Sequence, residues 1–276
     1  MAYTVPNATL IRPWQSNGRR RYAVYSTALT VDAGGDADST IVCPPGRIIG
    51  VAYGIKTAPE TYAVATSGDL TIKAESVAGV QILDVADLTS AQDGFLPLGT
   101  VAVDEARAAT AATDAFSGGF PIRGGINTVV ANGTEAEVIT VDYLVRHCTY
   151  SRVTLRPTGS AGSATDTRTL KLGGPGVLSA VAIDFGSGFP ATGDVTIKAD
   201  DGTTGLTLFT SANSATDLAP SLLGRAAQDE AGNVTAATDG TESGNAFKRS
   251  LVVAVAEADP YTDATDEAIV ELWIDD

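Results

Sequence analysis

Laid over itself with a shift of 125 residues, this 276-residue chain matches in two separated blocks without a gap. Gly68-Asp69-Leu70-Thr71-Ile72-Lys73-Ala74-Glu75 falls on Gly193-Asp194-Val195-Thr196-Ile197-Lys198-Ala199-Asp200, six positions identical and two conservative. At the same shift Asp104-Glu105-Ala106 falls on Asp229-Glu230-Ala231, and Ala111-Ala112-Thr113-Asp114 on Ala236-Ala237-Thr238-Asp239. Biased Ala/Thr content can imitate one block, but not two in register. Small gaps extend the match: Ile48-Ile49-Gly50-Val51-Ala52-Tyr53 resembles Val177-Leu178-Ser179-Ala180-Val181-Ala182, and Val141-Asp142-Tyr143-Leu144-Val145 resembles Val270-Glu271-Leu272-Trp273-Ile274. A repeat of this length is one domain's worth of chain, so it predicts two copies of one domain. The expected boundaries are an arm over 1–21, a first repeat over 22–146, a junction over 147–150 and a second repeat over 151–276.

The period inside the repeat is that of strands. Leu70-Thr71-Ile72-Lys73-Ala74 and Val195-Thr196-Ile197-Lys198-Ala199 alternate apolar and polar residues, as do Tyr22-Ala23-Val24-Tyr25 and the run Val138–Val145. Leu251-Val252-Val253-Ala254-Val255 is apolar throughout and suits a central strand. Turn chemistry separates these runs at Asp32-Ala33-Gly34-Gly35-Asp36, Pro44-Pro45-Gly46, Asn132-Gly133 and Asp200-Asp201-Gly202. About eight strands per repeat predict an all-β chain of two tandem antiparallel β-sandwich domains, jelly-roll-like, preceded by an N-terminal extended arm. The Ala-rich stretch Asp104 to Ser117 reads as a helical turn or long loop. Its Gly-containing counterpart, Asp229 to Ser243, reads as a loop that contacts a partner.

The charge excludes one class of partner. With 18 Lys and Arg against 33 Asp and Glu, the net charge of −15 repels the phosphates of nucleic acid. No apolar stretch approaches the length of a membrane span, and Met1 to Leu10 lacks the pattern of a secretory signal. The expectation is a chain made as a soluble cytoplasmic product, with no membrane and no nucleic-acid partner. Met1 to Arg21 has Pro6, Pro13 and Arg19-Arg20-Arg21, which suit a frayed, charged terminus, and the apolar anchors Leu10, Ile11 and Trp14, which suit an arm lying on a neighbouring subunit.

Catalytic constellations are missing from the sequence. The single histidine, His147, has no Gly-x-Ser-x-Gly elbow to serve and sits beside Cys148 without further metal ligands, so it reads as a hydrogen-bonding junction residue. Cys43 and Cys148 lie 105 residues apart and are either two buried thiols or one bridge. The acidic pairs Asp104-Glu105 and Asp229-Glu230 recur because the domain is duplicated. Asp32, Asp36 and Asp38 resemble a calcium loop in composition but lack its spacing and terminal Glu. Gly118-Gly119 and Gly173-Gly174-Pro175-Gly176 lack the Lys of a phosphate loop and read as turns. Arg123-Gly124-Gly125 and Lys248-Arg249 form a cationic turn at about the same point of each repeat. The expectation is no enzyme, with no catalytic residue, no cofactor and no metal.

A duplicated, small-residue-rich β-sandwich with a polar arm and an acidic surface resembles the virion structural proteins of tailed phages, most closely the capsid decoration (cement) proteins. The resemblance covers architecture and composition over the whole chain and rests on no motif, so no residue roles carry over. It implies a bacteriophage structural protein located in the virion. Such a protein binds the major capsid protein or other virion subunits, often as a homo-oligomer such as a trimer, and stabilises the assembled shell. Two other readings are a tail, neck or baseplate component and, from a different class, a tandem carbohydrate-binding module. A sugar-binding pair should present matched exposed aromatics in both repeats.

Overall fold

The computed structural model of the chain describes residues 13–16, 19–58, 61–76, 78–88, 91–97, 119–199, 205–225, 242–243 and 245–275. Its strands divide between two compact units, the first ending at Cys148 and the second beginning with the strand at Thr149.

The first unit contains β1 Pro13–Ser16, β2 Arg19–Thr30, β3 Ala37–Val42, β4 Gly46–Ala58, β5 Thr61–Ala63, β6 Asp69–Ala74, β7 Gln81–Val85, β8 Gln92–Pro97, β9 Phe120–Ile122, β10 Gly125–Ala131 and β11 Val138–His147. One antiparallel sheet has the order β1-β2-β11-β4-β5, with β8 and β9 also paired to β4; the other has the order β3-β10-β6-β7. The second unit contains β12 Thr149–Leu155, β13 Ala164–Lys171, β14 Gly176–Phe185, β15 Asp194–Ala199, β16 Thr207–Ser211, β17 Leu218–Leu222, β18 Gly224–Arg225, β19 Glu242–Ser243, β20 Asn245–Phe247, β21 Ser250–Ala258 and β22 Ala268–Asp275. Its sheets run β12-β22-β14-β17, with β20 also on β14, and β13-β21-β15-β16; β18 and β19 form a separate short pair.

Aligned by place, β2-β11-β4-β8 corresponds to β12-β22-β14-β17, and β3-β10-β6-β7 to β13-β21-β15-β16. Eight strands labelled B to I in chain order thus form sheets B-I-D-G and C-H-E-F in each unit, the double Greek key of a jelly roll. The chain is two tandem jelly rolls. Alternation explains each core. Leu70, Ile72 and Ala74 of β6 and Val195, Ile197 and Ala199 of β15 are buried, while the residues between them are only partly covered. Across the first sandwich they join Ile48, Val51, Ile139, Val141 and Tyr143. Across the second they join Leu178, Val181, Ile183, Val270 and Leu272. The apolar run Leu251–Val255 lies in β21, between β13 and β15.

Strand register moves one sequence pairing by a residue. Between β11 and β4, Leu144 faces Gly50 and Val145 faces Ile48, which leaves Ile49 as a bulge. Between β22 and β14, Trp273 faces Ala180 and Ile274 faces Leu178, which leaves Ser179 as the bulge. Ile48 to Tyr53 therefore corresponds to Leu178 to Ile183, and Val51-Ala52 falls on the identical Val181-Ala182.

The retained Gly-Asp pair that opens β6 and β15 pins a turn in both units. Asp69 Oδ1 accepts the Asp87 amide at 3.0 Å, and Gly68 O accepts that of Leu88 at 2.6 Å. In the second unit Asp194 Oδ1 accepts the Asn213 amide at 2.7 Å, and Gly193 O that of Ser214 at 3.2 Å. Asp87 (φ 61°) and Asn213 (φ 49°) both sit in the left-handed region, where Asp and Asn are the side chains best tolerated.

Pro13–Ser16 fold back as β1 on β2, which itself starts at Arg19. Residues 1–12, with Leu10 and Ile11 among them, lie outside the described residues.

Candidate functional site

Polar groups concentrate on the outer side of β11. Asp142 interrupts the inward series Val141, Tyr143 and Val145, so its carboxylate points away from the core, yet it is only 4% exposed. β5 provides the cover. Tyr62 Oη donates to Asp142 Oδ2, and Lys56 Nζ lies 2.7 Å from the same oxygen and 5.6 Å from the centre of the Tyr62 ring. A buried carboxylate needs such partners, because desolvation penalises an unpaired charge by several kcal/mol. In the second unit Glu271 takes the place of Asp142 and accepts a hydrogen bond from Tyr150 Oη at 2.7 Å. Neither carboxylate has a nucleophile or a second acid in these contacts. They cross-link strands. Sequence reasoning missed both, although the acid within an alternating strand, repeated as Val-Asp-Tyr and Val-Glu-Leu, was a usable signal.

The other buried polar contacts in the first unit also tie strands together. Thr128 on β10 bonds Tyr143 on β11 across the sandwich, and Asn127 Nδ2 donates to Asp38 Oδ1 at 2.7 Å and Thr40 Oγ1 at 3.0 Å.

His147 ends β11, with Nε2 3.3 Å from Tyr25 Oη and the rings edge to face at 5.9 Å. Burial holds its pKa below the ordinary histidine value. Cys43 and Cys148 are both free thiols, so no bridge joins them. Burial, aided by the nearby charge of Glu75, pushes the Cys43 thiol up to about 12, which keeps it protonated and unreactive.

The acidic trio around Gly34-Gly35 closes a turn. Asp32 Oδ1 accepts the Gly34 amide at 2.8 Å and the Asp36 amide at 3.0 Å, and these bonds hold its pKa below the usual carboxylate range. Asp38 is bonded to Asn127, as above. Arg123-Gly124 connects β9 to β10, and Lys248-Arg249 connects β20 to β21, so the two cationic turns occupy the same corner of each jelly roll. Behind the first, Glu75 Oε2 accepts the Gly125 amide at 2.9 Å, and Oε1 that of Arg123. Gly119 (φ 81°) and Gly173 (φ 76°) are turn residues. Asp104-Glu105, Asp229-Glu230, Gly118 and the rest of 98–118 and 226–241 lie outside the described residues.

Trp273 is fully buried, 5.3 Å from the Tyr150 ring, and Trp14 lies in β1. The exposed large apolar side chains among the described residues are Val42, Val64, Val80, Val138 and Leu206, all aliphatic.

No family model matches the sequence, and no curated protein matches it. Among solved structures, one similar chain is VP54 of PBCV-1, fitted into a reconstruction of the virophage Sputnik. It is 10% identical over 97% of this chain and 95% of that one, with a TM-score of 0.27. Another is the major capsid protein P2 of bacteriophage PM2, 10% identical over 90% and 96%, with a TM-score of 0.23. A third is VP2 of infectious bursal disease virus, 14% identical over 99% and 73%, with a TM-score of 0.23. The strand order, not these overlaps, assigns the fold.

Proposed function

We propose that this chain is a non-enzymatic structural protein of a virion, which binds an assembled phage capsid as a decoration protein and stabilises it. The observation that carries the reading is the duplication itself: two jelly rolls of identical strand order, in which the buried carboxylates Asp142 and Glu271 bond tyrosines of other strands. Two linked copies of one domain present paired contact surfaces, and linkage raises the effective concentration of the second once the first has bound. A sugar-binding pair is less well supported, since the described exposed apolar side chains include no aromatic platform in either unit.

The same duplication supports a second placement. Jelly rolls are a recurrent architecture of the shell itself as well as of lectins and cupins, so the chain also suits a shell-forming subunit.

Sedimentation separates the readings. A decoration protein forms no shell alone and co-sediments with particles that lack it. A shell subunit assembles into particles without a template. A chain that does neither, and that releases product from glycosidic or ester substrates above the blank, overturns the structural reading.

A further inference from the structure

The two jelly rolls differ at one sheet edge. In the first, the outer side of β2 carries β1, with Pro13 opposite Ala23, Trp14 opposite Tyr22, Gln15 opposite Arg20 and Ser16 opposite Arg19. The second has the equivalent strand, β12, at the same place beside β22, and among the described residues no strand pairs with its other edge. The edges of the other sheet are alike in both: β3 and β13 begin it, and β7 and β16 end it. An open edge is a row of backbone donors and acceptors that a further strand satisfies. β13 is blunted by Asp166, Arg168 and Lys171. β12, Thr149-Tyr150-Ser151-Arg152-Val153-Thr154-Leu155, has one charge and is otherwise rich in strand-forming side chains.

We propose that residues 1–12 of one copy of this chain add as a strand to the β12 edge of a second copy. The segment continues directly into β1, which already docks on the equivalent edge. Its 12 residues reach roughly 40 Å when extended, well beyond the roughly 23 Å of the seven-residue β12. It contains the strand-forming runs Tyr3-Thr4-Val5 and Ala8-Thr9-Leu10-Ile11, one cation at Arg12 and no acid, whereas residues 149–276 hold 18 acidic and 8 basic side chains. An arm on an edge joins two different surfaces, so copies add head to tail and close into a ring where the rotation permits. The contact concerns copies of this chain alone and stands or falls independently of the virion reading.

The test compares the intact protein with a variant lacking residues 2–12, by sedimentation and by amide hydrogen exchange. The intact protein should sediment as a multi-copy species with protected β12 amides. The truncated one should sediment as a single copy, with β12 exchanging about tenfold faster or more and β2 and β11 unchanged. A synthetic peptide of residues 1–12 should restore protection to β12 of the truncated protein without restoring the mass. The double substitution Thr9→Pro with Leu10→Pro, which removes amides of both orientations and leaves β1 intact, should reproduce the loss. Unchanged mass and β12 protection in either variant would overturn the proposal. So would protection confined to another strand, or arm-dependent protection of β12 in a species of single-copy mass.

Discussion

Lys56 Nζ and Asp142 Oδ2 lie 2.7 Å apart although 86 residues separate them in the chain. The pair joins the far end of β4 to the middle of β11, with Tyr62 closing over it from β5. Both groups are largely removed from water, with side-chain exposures of 26% and 6%. Removing one partner strands the other, so Asp142→Ala should lower stability by about 3–5 kcal/mol. Replacing both, as Lys56→Met with Asp142→Leu, should recover most of that loss, because no buried charge is then left. Urea unfolding of the three proteins checks this. Equal losses in the single and double variants would remove the charge argument.

Ser179 shows how a bulge is secured. It is fully buried, and its Oγ donates to Trp273 O at 3.0 Å, while its own carbonyl accepts the Leu223 amide at 2.9 Å. Ser179→Ala removes one neutral hydrogen bond and should cost about 1 kcal/mol. Trp273→Ala leaves a large cavity and should cost about 3–5 kcal/mol. Because the hydroxyl bonds the carbonyl of the residue whose ring is removed, the two losses should not add in a double-mutant cycle measured by urea midpoints.

These two sites also mark where the sequence could be read and where it could not. Alternation in Leu70–Ala74 and Val195–Ala199 reveals strand, face and repeat at once, since the period of two is a local property. The bulges at Ile49 and Ser179 are not local. Each exists only because β4 or β14 is paired with a particular neighbour, and only that shared register fixes where the gap between the repeats falls. The fold-back of Pro13–Ser16 on β2 is equally a matter of pairing, which composition does not reveal. Asp142 and Glu271 were visible as acids in apolar strands, but their partners, Lys56 and Tyr62 or Tyr150, are distant in sequence. The identity of Gly68-Asp69 and Gly193-Asp194 was legible, and its cause, a pinned left-handed turn residue, was not.

That turn gives the acid limb of stability. Asp69 accepts the Asp87 amide and Asn132 Nδ2, which lie 3.0 and 2.9 Å away, and both bonds favour the carboxylate and lower its pKa from 3.8. Hydrogen bonds to Thr265 and Thr262 likewise lower Asp263 and Asp266. A depressed folded value means that the stabilisation is complete above the unfolded value and is lost as pH falls through the folded one. Thermal midpoints should therefore drop below about pH 4. Asp69→Asn should lower the midpoint at pH 7 and flatten part of that acid dependence. An unchanged acid slope would show that Asp69 is not among the groups responsible.

Cys43 sets the alkaline limb. Burial pushes its thiol from an ordinary 9.0 up to about 12, and burial with the charge of Cys43 pushes Tyr25 from 10.0 up to about 12. The native state holds both protons at pH values where the unfolded chain releases them. Stability is therefore fully present below about pH 9 and lost as pH rises towards 12. Cys43→Ser removes the thiol from this balance, so its unfolding midpoint should fall less between pH 9 and 11 than that of the parent. The same burial predicts selective labelling: at pH 8 a thiol reagent should modify the half-buried Cys148 of the native protein and reach Cys43 only after urea is added. Mass mapping of the labelled peptides decides the point, and modification of Cys43 at the native rate of Cys148 would contradict its placement in the core.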